Sequence, residues 1–139
     1  MDSNGLLLAR LQGNLFYESI DNTFTSSEIF IRRFMNSTVA KDFDNLEILN
    51  FALSNKEIYF AFEDEFGISS YGKVKYINEV LYWIGYLYRY ISYIYNLTSK
   101  QVYKLIKPKE LNQMYYVYHT FDIEEAIKEI LEEKTYLLR

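Results

Sequence analysis

Apolar positions recur at spacings of three and four along most of the chain, the period of a helix that buries one face. Leu7, Leu8, Leu11, Leu15 and Phe16 predict a helix over residues 4–19, and Ile29, Phe30, Phe34 and Met35 a second over 26–36 with Arg32 and Arg33 toward water. Residues 38–43 continue the second after a break. Residues 47–53 are ambiguous, since Leu46, Ile48 and Phe51 suit a helix or a short strand. Residues 56–66 read as a helix closed by Gly67 as a left-handed cap, and 68–73 as a loop containing Ser69, Ser70 and Gly72.

The longest predicted helix covers 74–96. One stripe is Ile77, Val80, Leu81, Ile84, Leu87, Ile91 and Ile94, and a second is Tyr82, Tyr86, Tyr90 and Tyr93. Gly85 costs helix stability, about 1 kcal/mol against alanine, and is expected to let a neighbouring helix approach. Shorter helices follow over 99–106, 108–118 and 123–133. The first turns Val102, Tyr103 and Ile106 inward, and the last buries Ile123, Ala126, Ile127, Ile130 and Leu131.

Helix-start signals agree with this division. A capping residue followed three positions later by Glu or Gln satisfies amides that a helix leaves unpaired. The pattern occurs at Thr25/Glu28, Asp44/Glu47, Ser54/Glu57, Thr98/Gln101 and Asp122/Glu125, and Pro108 suits a first helical turn. No repeat or linker divides the chain. The expected fold is all-α, one domain over residues 1–139, a compact bundle of six to eight helices around a long tyrosine-rich central helix.

Residues 80–97, VLYWIGYLYRYISYIYNL, hold six tyrosines, one tryptophan and a single formal charge, Arg89. The length suggests a membrane span. Arg89 at mid-span and six hydroxyls needing partners favour a buried helix in a soluble domain instead. The chain has no cysteine, which excludes disulfides and thiolate metal sites and suits a reducing cytosol. Met1 leads into Asp2-Ser3-Asn4 without a basic stretch, so no secretory signal is expected and the protein reads as cytoplasmic.

The net charge of −4 is unevenly spread: residues 1–70 carry 5 Lys/Arg against 11 Asp/Glu, and 71–139 carry 10 against 8. An acidic front half repels phosphate and disfavours nucleic acid as the main ligand, while suiting a basic protein partner.

Few residues suggest chemistry. His119 is the sole histidine, and with no nucleophile motif beside it the expected role is structural or partner-contacting. Glu63, Asp64 and Glu65 point in different directions on a helix. They read as a solvated face or an electrostatic docking patch rather than a cation site. Lys100, Lys104, Lys107 and Lys109 beside Tyr103 form the best nucleic-acid signal, and 99–106 with 108–118 has the outline of a helix-turn-helix. Its second helix carries Glu110 and few cations. Ser69-Ser70-Tyr71-Gly72-Lys73 lacks the glycine spacing of a phosphate loop. No metal or cofactor is called for. The tyrosine stripe reads as core, or as an interface rich in aromatic anchors.

The blocks Tyr82-Trp83-Ile84-Gly85-Tyr86, Tyr88-Arg89-Tyr90, SK-YK-IKP and Tyr118-His119-Thr120 resemble a group of small bacterial and phage-associated proteins over residues 69–131. From KQVYKLI to YHTFDIEEAI the chain is also similar to short antitoxins found beside toxins with an ADP-ribosyltransferase-like fold. The resemblance implies a non-enzymatic antitoxin that neutralises a protein partner, a toxin or defence effector, by direct binding. Expected partner-binding residues are Tyr82, Tyr86, Arg89, Tyr90, Tyr93, Tyr118, His119, Glu63, Asp64 and Glu65. A phage-encoded inhibitor of a defence nuclease and a DNA-binding regulator are the alternatives. A homo-oligomer remains open.

Overall fold

The computed structural model describes residues 1–137 and contains no strand among them. The helices are α1 Ser3–Tyr17, α2 Ser19–Asn22, α3 Ser27–Met35, α4 Thr38–Asp44, α5 Asn55–Phe66, α6 Asn78–Tyr95, α7 Ser99–Leu105, α8 Pro108–Tyr118 and α9 Ile123–Leu137. The ambiguous stretch is a 3-10 helix, Glu47–Asn50, entered through Leu46 at φ +64°. The all-α expectation holds, and the buried side chains form one contiguous cluster.

The helices of the described residues outnumber the expected six to eight because hydroxyl side chains divide two runs. Ser19 Oγ donates to the Phe16 carbonyl at 2.6 Å and Thr23 Oγ1 to the Ser19 carbonyl at 2.7 Å, offering the backbone an alternative to helix continuation. Ser37 Oγ donates to the Phe34 carbonyl at 2.6 Å and accepts from Ala40 N–H at 3.1 Å. One hydroxyl therefore closes α3 and opens α4. The capping boxes at Ser54/Glu57 and Thr98/Gln101 form as expected. The cap of α3 is Ser26, one residue beyond the anticipated Thr25.

α6 packs along α1. A Cβ at Gly85 would lie 2.7 Å from the Gln12 carbonyl oxygen and 2.8 Å from the Phe16 ring, which is the close approach the sequence suggests. Gly13 does the same from the other side, where a Cβ would meet the Tyr82 ring at 2.9 Å. Phe16 then meets Phe30 and Phe34 of α3 edge-on, each at 5.3 Å between ring centres. That is the geometry the ring quadrupoles favour.

The fold departs most from expectation ahead of α6. Residues 74–77 lie outside the helix, with Ile77 in an extended conformation. Their hydrogen-bonding groups turn to the start of α3: Ser27 N–H donates to the Val74 carbonyl at 3.0 Å, and Tyr76 N–H to Ser27 Oγ at 2.8 Å. Ser26 N–H donates to the Tyr71 carbonyl at 3.1 Å. Lys75 Nζ fastens the same strap to the end of α2 through the Ile20 and Thr23 carbonyls, at 2.6 and 2.5 Å. Ile77 and Ile94, expected in the core stripe, are exposed at the two ends of the helix. No helix of the described residues is long and apolar enough to cross a membrane.

Candidate functional site

The tyrosine stripe lies in a seam between helices. Tyr82, Tyr86 and Tyr90 stack along α6 with ring centres 6.0 Å apart at each step. Tyr90 is buried and donates to Glu124 of α9 at 2.7 Å; Tyr93 is half-buried and donates to the Asp2 carboxylate at 2.8 Å. Tyr82 and Tyr86 are half-buried. Tyr90, expected to contact a partner, is therefore part of the interior. Tyr88, in none of the expected stripes, is fully buried and donates to the Ile106 carbonyl at 2.6 Å.

Arg89 also corrects the expectation of a partner contact, because only 1% of it is exposed. Its Nη1 donates to Asp44 of α4 at 2.6 Å and to Ser92 at 3.1 Å, its Nη2 to Ser99 of α7 at 2.6 Å, and its Nε to Gln12 of α1 at 2.8 Å. The Phe43 ring centre lies 5.3 Å from the guanidinium carbon. Asp44 also accepts from the Ser99 N–H, at 3.1 and 3.0 Å to its two oxygens, so it caps α7 as well as pairing with Arg89. Burial lowers the Arg89 pKa and Asp44 opposes that shift. A buried charge is tolerated only when paired and hydrogen-bonded, and this one ties four helices together.

Tyr118 is half-buried and donates to Glu133 at 3.2 Å. His119 is exposed, stacks on Tyr115 at 4.3 Å and 12°, and holds Nδ1 2.8 Å from the Tyr115 carbonyl. The imidazole finishes α8. Lys100, Lys104, Lys107 and Lys109 are all exposed, and Lys107 Nζ sits 4.5 Å above the Tyr103 ring. The outward face of α8 carries Lys109, Gln113, Tyr116 and Val117. One cation among those four is a poor match for a phosphate backbone.

A different region presents unsatisfied surface. Phe24, Phe60, Ile68, Tyr71 and Val74 are 72, 72, 79, 74 and 71% exposed, more than any other large apolar side chain among the described residues. They are carried by α5, the strap 67–77 and the loop before α3; backbone hydrogen bonds join the strap to the start of α3, and Phe60 and Ile68 line one hollow on what forms the α5–strap edge. Gly67 makes the turn into it, with φ +83° and ψ 159°. That conformation is open essentially to glycine alone, and it is an extended turn rather than the expected left-handed cap.

Two hollows flank the residues after α5. One, of about 520 Å³, is lined by Ile29, Arg32, Arg33, Asn36, Phe66, Ser69 and Tyr71. Arg33 is held there with its guanidinium carbon 5.3 Å from the Phe62 ring centre and 5.4 Å from that of Phe66. Both rings offer their electron-rich faces to the cation, and Arg33 also donates to the Gly67 carbonyl. The other hollow, of about 280 Å³, is lined by Phe60, Glu63, Asp64, Gly67 and Ile68. Two of the three expected acidic docking residues thus line one hollow together with the apolar Phe60 and Ile68. Glu65 is engaged within the fold, where it accepts from Thr38 N–H at 2.8 Å at the start of α4.

The ion pairs among the described residues are Arg89–Asp44 and Lys134–Glu110, so Arg32, Arg33, Glu63 and Asp64 stand outside both. An edge with strongly exposed apolar side chains and charges of both signs is suited to binding a macromolecular surface. Sequence periodicity misses it, since Val74 and Ile77 fit the face of a helix. The available signal is Ile68 and Tyr71 standing in a serine- and glycine-rich loop. No group of three or more His, Asp or Glu among the described residues is placed to hold a metal ion. The chain matches no family model, no curated protein and no solved structure.

Proposed function

We propose that this chain is a non-enzymatic, antitoxin-like protein of the cytosol that neutralises a protein partner by direct binding through the α5–strap edge. The observation that carries the reading is that the five most exposed large apolar side chains of the described residues all lie on that edge. Phe60 and Ile68 line one hollow there, and apolar side chains gathered in this way on a surface mark interaction sites. The resemblance of residues 100–127 to short antitoxins supplies the class of partner, a toxin. In this reading the tyrosine-rich α6 is the central frame, holding α1, α4, α7 and α9 so that the edge is presented in one shape. The acidic hollow suits a cationic side chain of the partner, and Phe60 and Ile68 are its apolar anchors.

Co-expression with the products of adjacent genes, with growth and affinity capture recorded together, tests the proposal. The expected result is rescue of growth with a stable complex, both lost in a Phe60→Asp/Ile68→Asp variant that keeps its helical circular dichroism. Absence of both complex and rescue for every adjacent product rejects it.

A further inference from the structure

We infer that the α5–strap edge also pairs with a second copy of this chain, in a two-fold dimer in which Arg32 and Arg33 of each copy face Glu63 and Asp64 of the other. The arrangement of charge carries the inference. Arg32 and Arg33 line one hollow with Phe66 and Ser69, and Glu63 and Asp64 line the other with Gly67 and Ile68. None of the four belongs to an ion pair among the described residues. A two-fold axis brings the same patch of both copies together, residue i meeting j and j meeting i. A surface carrying opposite charges in two hollows is therefore complementary to itself. Laid across such an axis, the exposed Ile68 and its neighbours meet their counterparts at the centre, and both charge contacts form at once. A purely basic partner would engage Glu63 and Asp64 and leave the two arginines facing like charge, so the second copy satisfies more of this face.

Arg33 is the preformed half of the cationic hollow, since stacking on Phe62 and Phe66 fixes its position before any contact is made. Arg32 is exposed, which makes it the cleaner residue to change. Asp64 is the exposed member of the acidic pair. The pairing uses the face proposed for partner binding yet requires no partner. The two readings therefore fail separately, and the dimer is measured on the purified chain alone.

Sedimentation equilibrium of the full chain at low and high salt is the test, with Arg32→Glu, Asp64→Arg and an equimolar mixture of the two variants. The wild type is expected to dimerise and to dissociate as salt screens the contacts. Each variant places like charges in both hollows of its own dimer and raises the dissociation constant about 100-fold. In the mixture the introduced glutamate of one copy faces the introduced arginine of the other. The unaltered Arg32 likewise faces the unaltered Asp64, so a heterodimer of near wild-type affinity returns. Circular dichroism melts confirm that both variants fold. A wild type that stays monomeric at millimolar concentration in low salt overturns the proposal. So does a dimer indifferent to both variants, or a mixture that fails to restore pairing.

Discussion

The α1–α6 seam and the α5–strap edge are both rich in aromatic side chains, yet they use them in opposite ways. Along α6 the deeply placed polar groups are paired: Tyr90 with Glu124, Tyr93 with Asp2, Tyr88 with the Ile106 carbonyl, and Arg89 with four side chains. Among the described residues no buried side-chain nitrogen or oxygen lacks a partner. On the edge, Phe60, Ile68, Tyr71 and Val74 stand mostly in water. Aromatic density is thus a poor guide to a binding face. The polar groups of the tyrosine-dense run are engaged within the fold, and the most exposed apolar side chains lie elsewhere.

The largest expected effect on this contrast needs no substitution. Burial raises the phenol pKa of Tyr59, Tyr76, Tyr88 and Tyr90 above the ordinary value of 10, with Glu28 and Glu124 adding to the rise at Tyr76 and Tyr90. The unfolded chain ionises first, so the stability these phenols contribute is complete below about pH 10 and is lost as pH rises through the folded values. Lys75, whose pKa burial lowers, acts in the opposite direction, as one amine against four phenols. Cooperative unfolding together with tyrosinate absorbance is expected above about pH 10. Ionisation of all 15 tyrosines in a chain that stays folded would contradict the burial.

Next comes the Arg89 network. Asp44→Ala leaves a buried guanidinium without its counter-charge and is expected to cost about 3–5 kcal/mol. Arg89→Met should cost less, because Asp44 is 12% exposed and keeps the Ser99 amide. The double variant should cost less than the sum of the singles, since the two residues share one interaction. Urea unfolding of the four proteins measures this, and strict additivity would show that the pair does not act as a unit. Gly85→Ala follows at about 1–3 kcal/mol, the usual cost of forcing an extra methyl into a packed core. The new methyl meets backbone at Gln12 and the packed Phe16. Gly13→Ala should cost less, since the obstacle is the half-buried Tyr82 ring.

These residues also mark what the sequence could and could not disclose. Local signals were legible: Ser54/Glu57 and Thr98/Gln101 cap where the pattern places them, and Gly85 admits a neighbouring helix. Asp44 carried a local pattern too, as a cap with Glu47, but its carboxylate serves Arg89 and Ser99, 45 and 55 residues away. A lone arginine in an apolar run implies a distant carboxylate without naming it. The strap was lost for a related reason. Val74 and Ile77 fit the helical period of α6, and only the start of α3, remote in sequence, offers the hydrogen-bond partners that keep 74–77 out of the helix.

The smallest effect on stability is the most discriminating for the comparison. Val74 is 71% exposed and Phe60 72%, so replacing either with serine removes little contact with the core. Either change should alter the unfolding free energy by no more than about 0.5 kcal/mol, the range of ordinary surface substitutions. A side chain kept for packing would behave otherwise: truncating the buried Phe16 or Phe34 to alanine should cost about 3–5 kcal/mol. The edge is therefore sensitive in one assay and silent in the other. If Phe60→Ser and Val74→Ser leave urea unfolding unchanged and abolish pairing or capture, the apolar side chains there serve contact rather than folding. Should they destabilise the chain as the core variants do, the edge would belong to the folding core after all, and its two hollows would lose their claim to be a binding face.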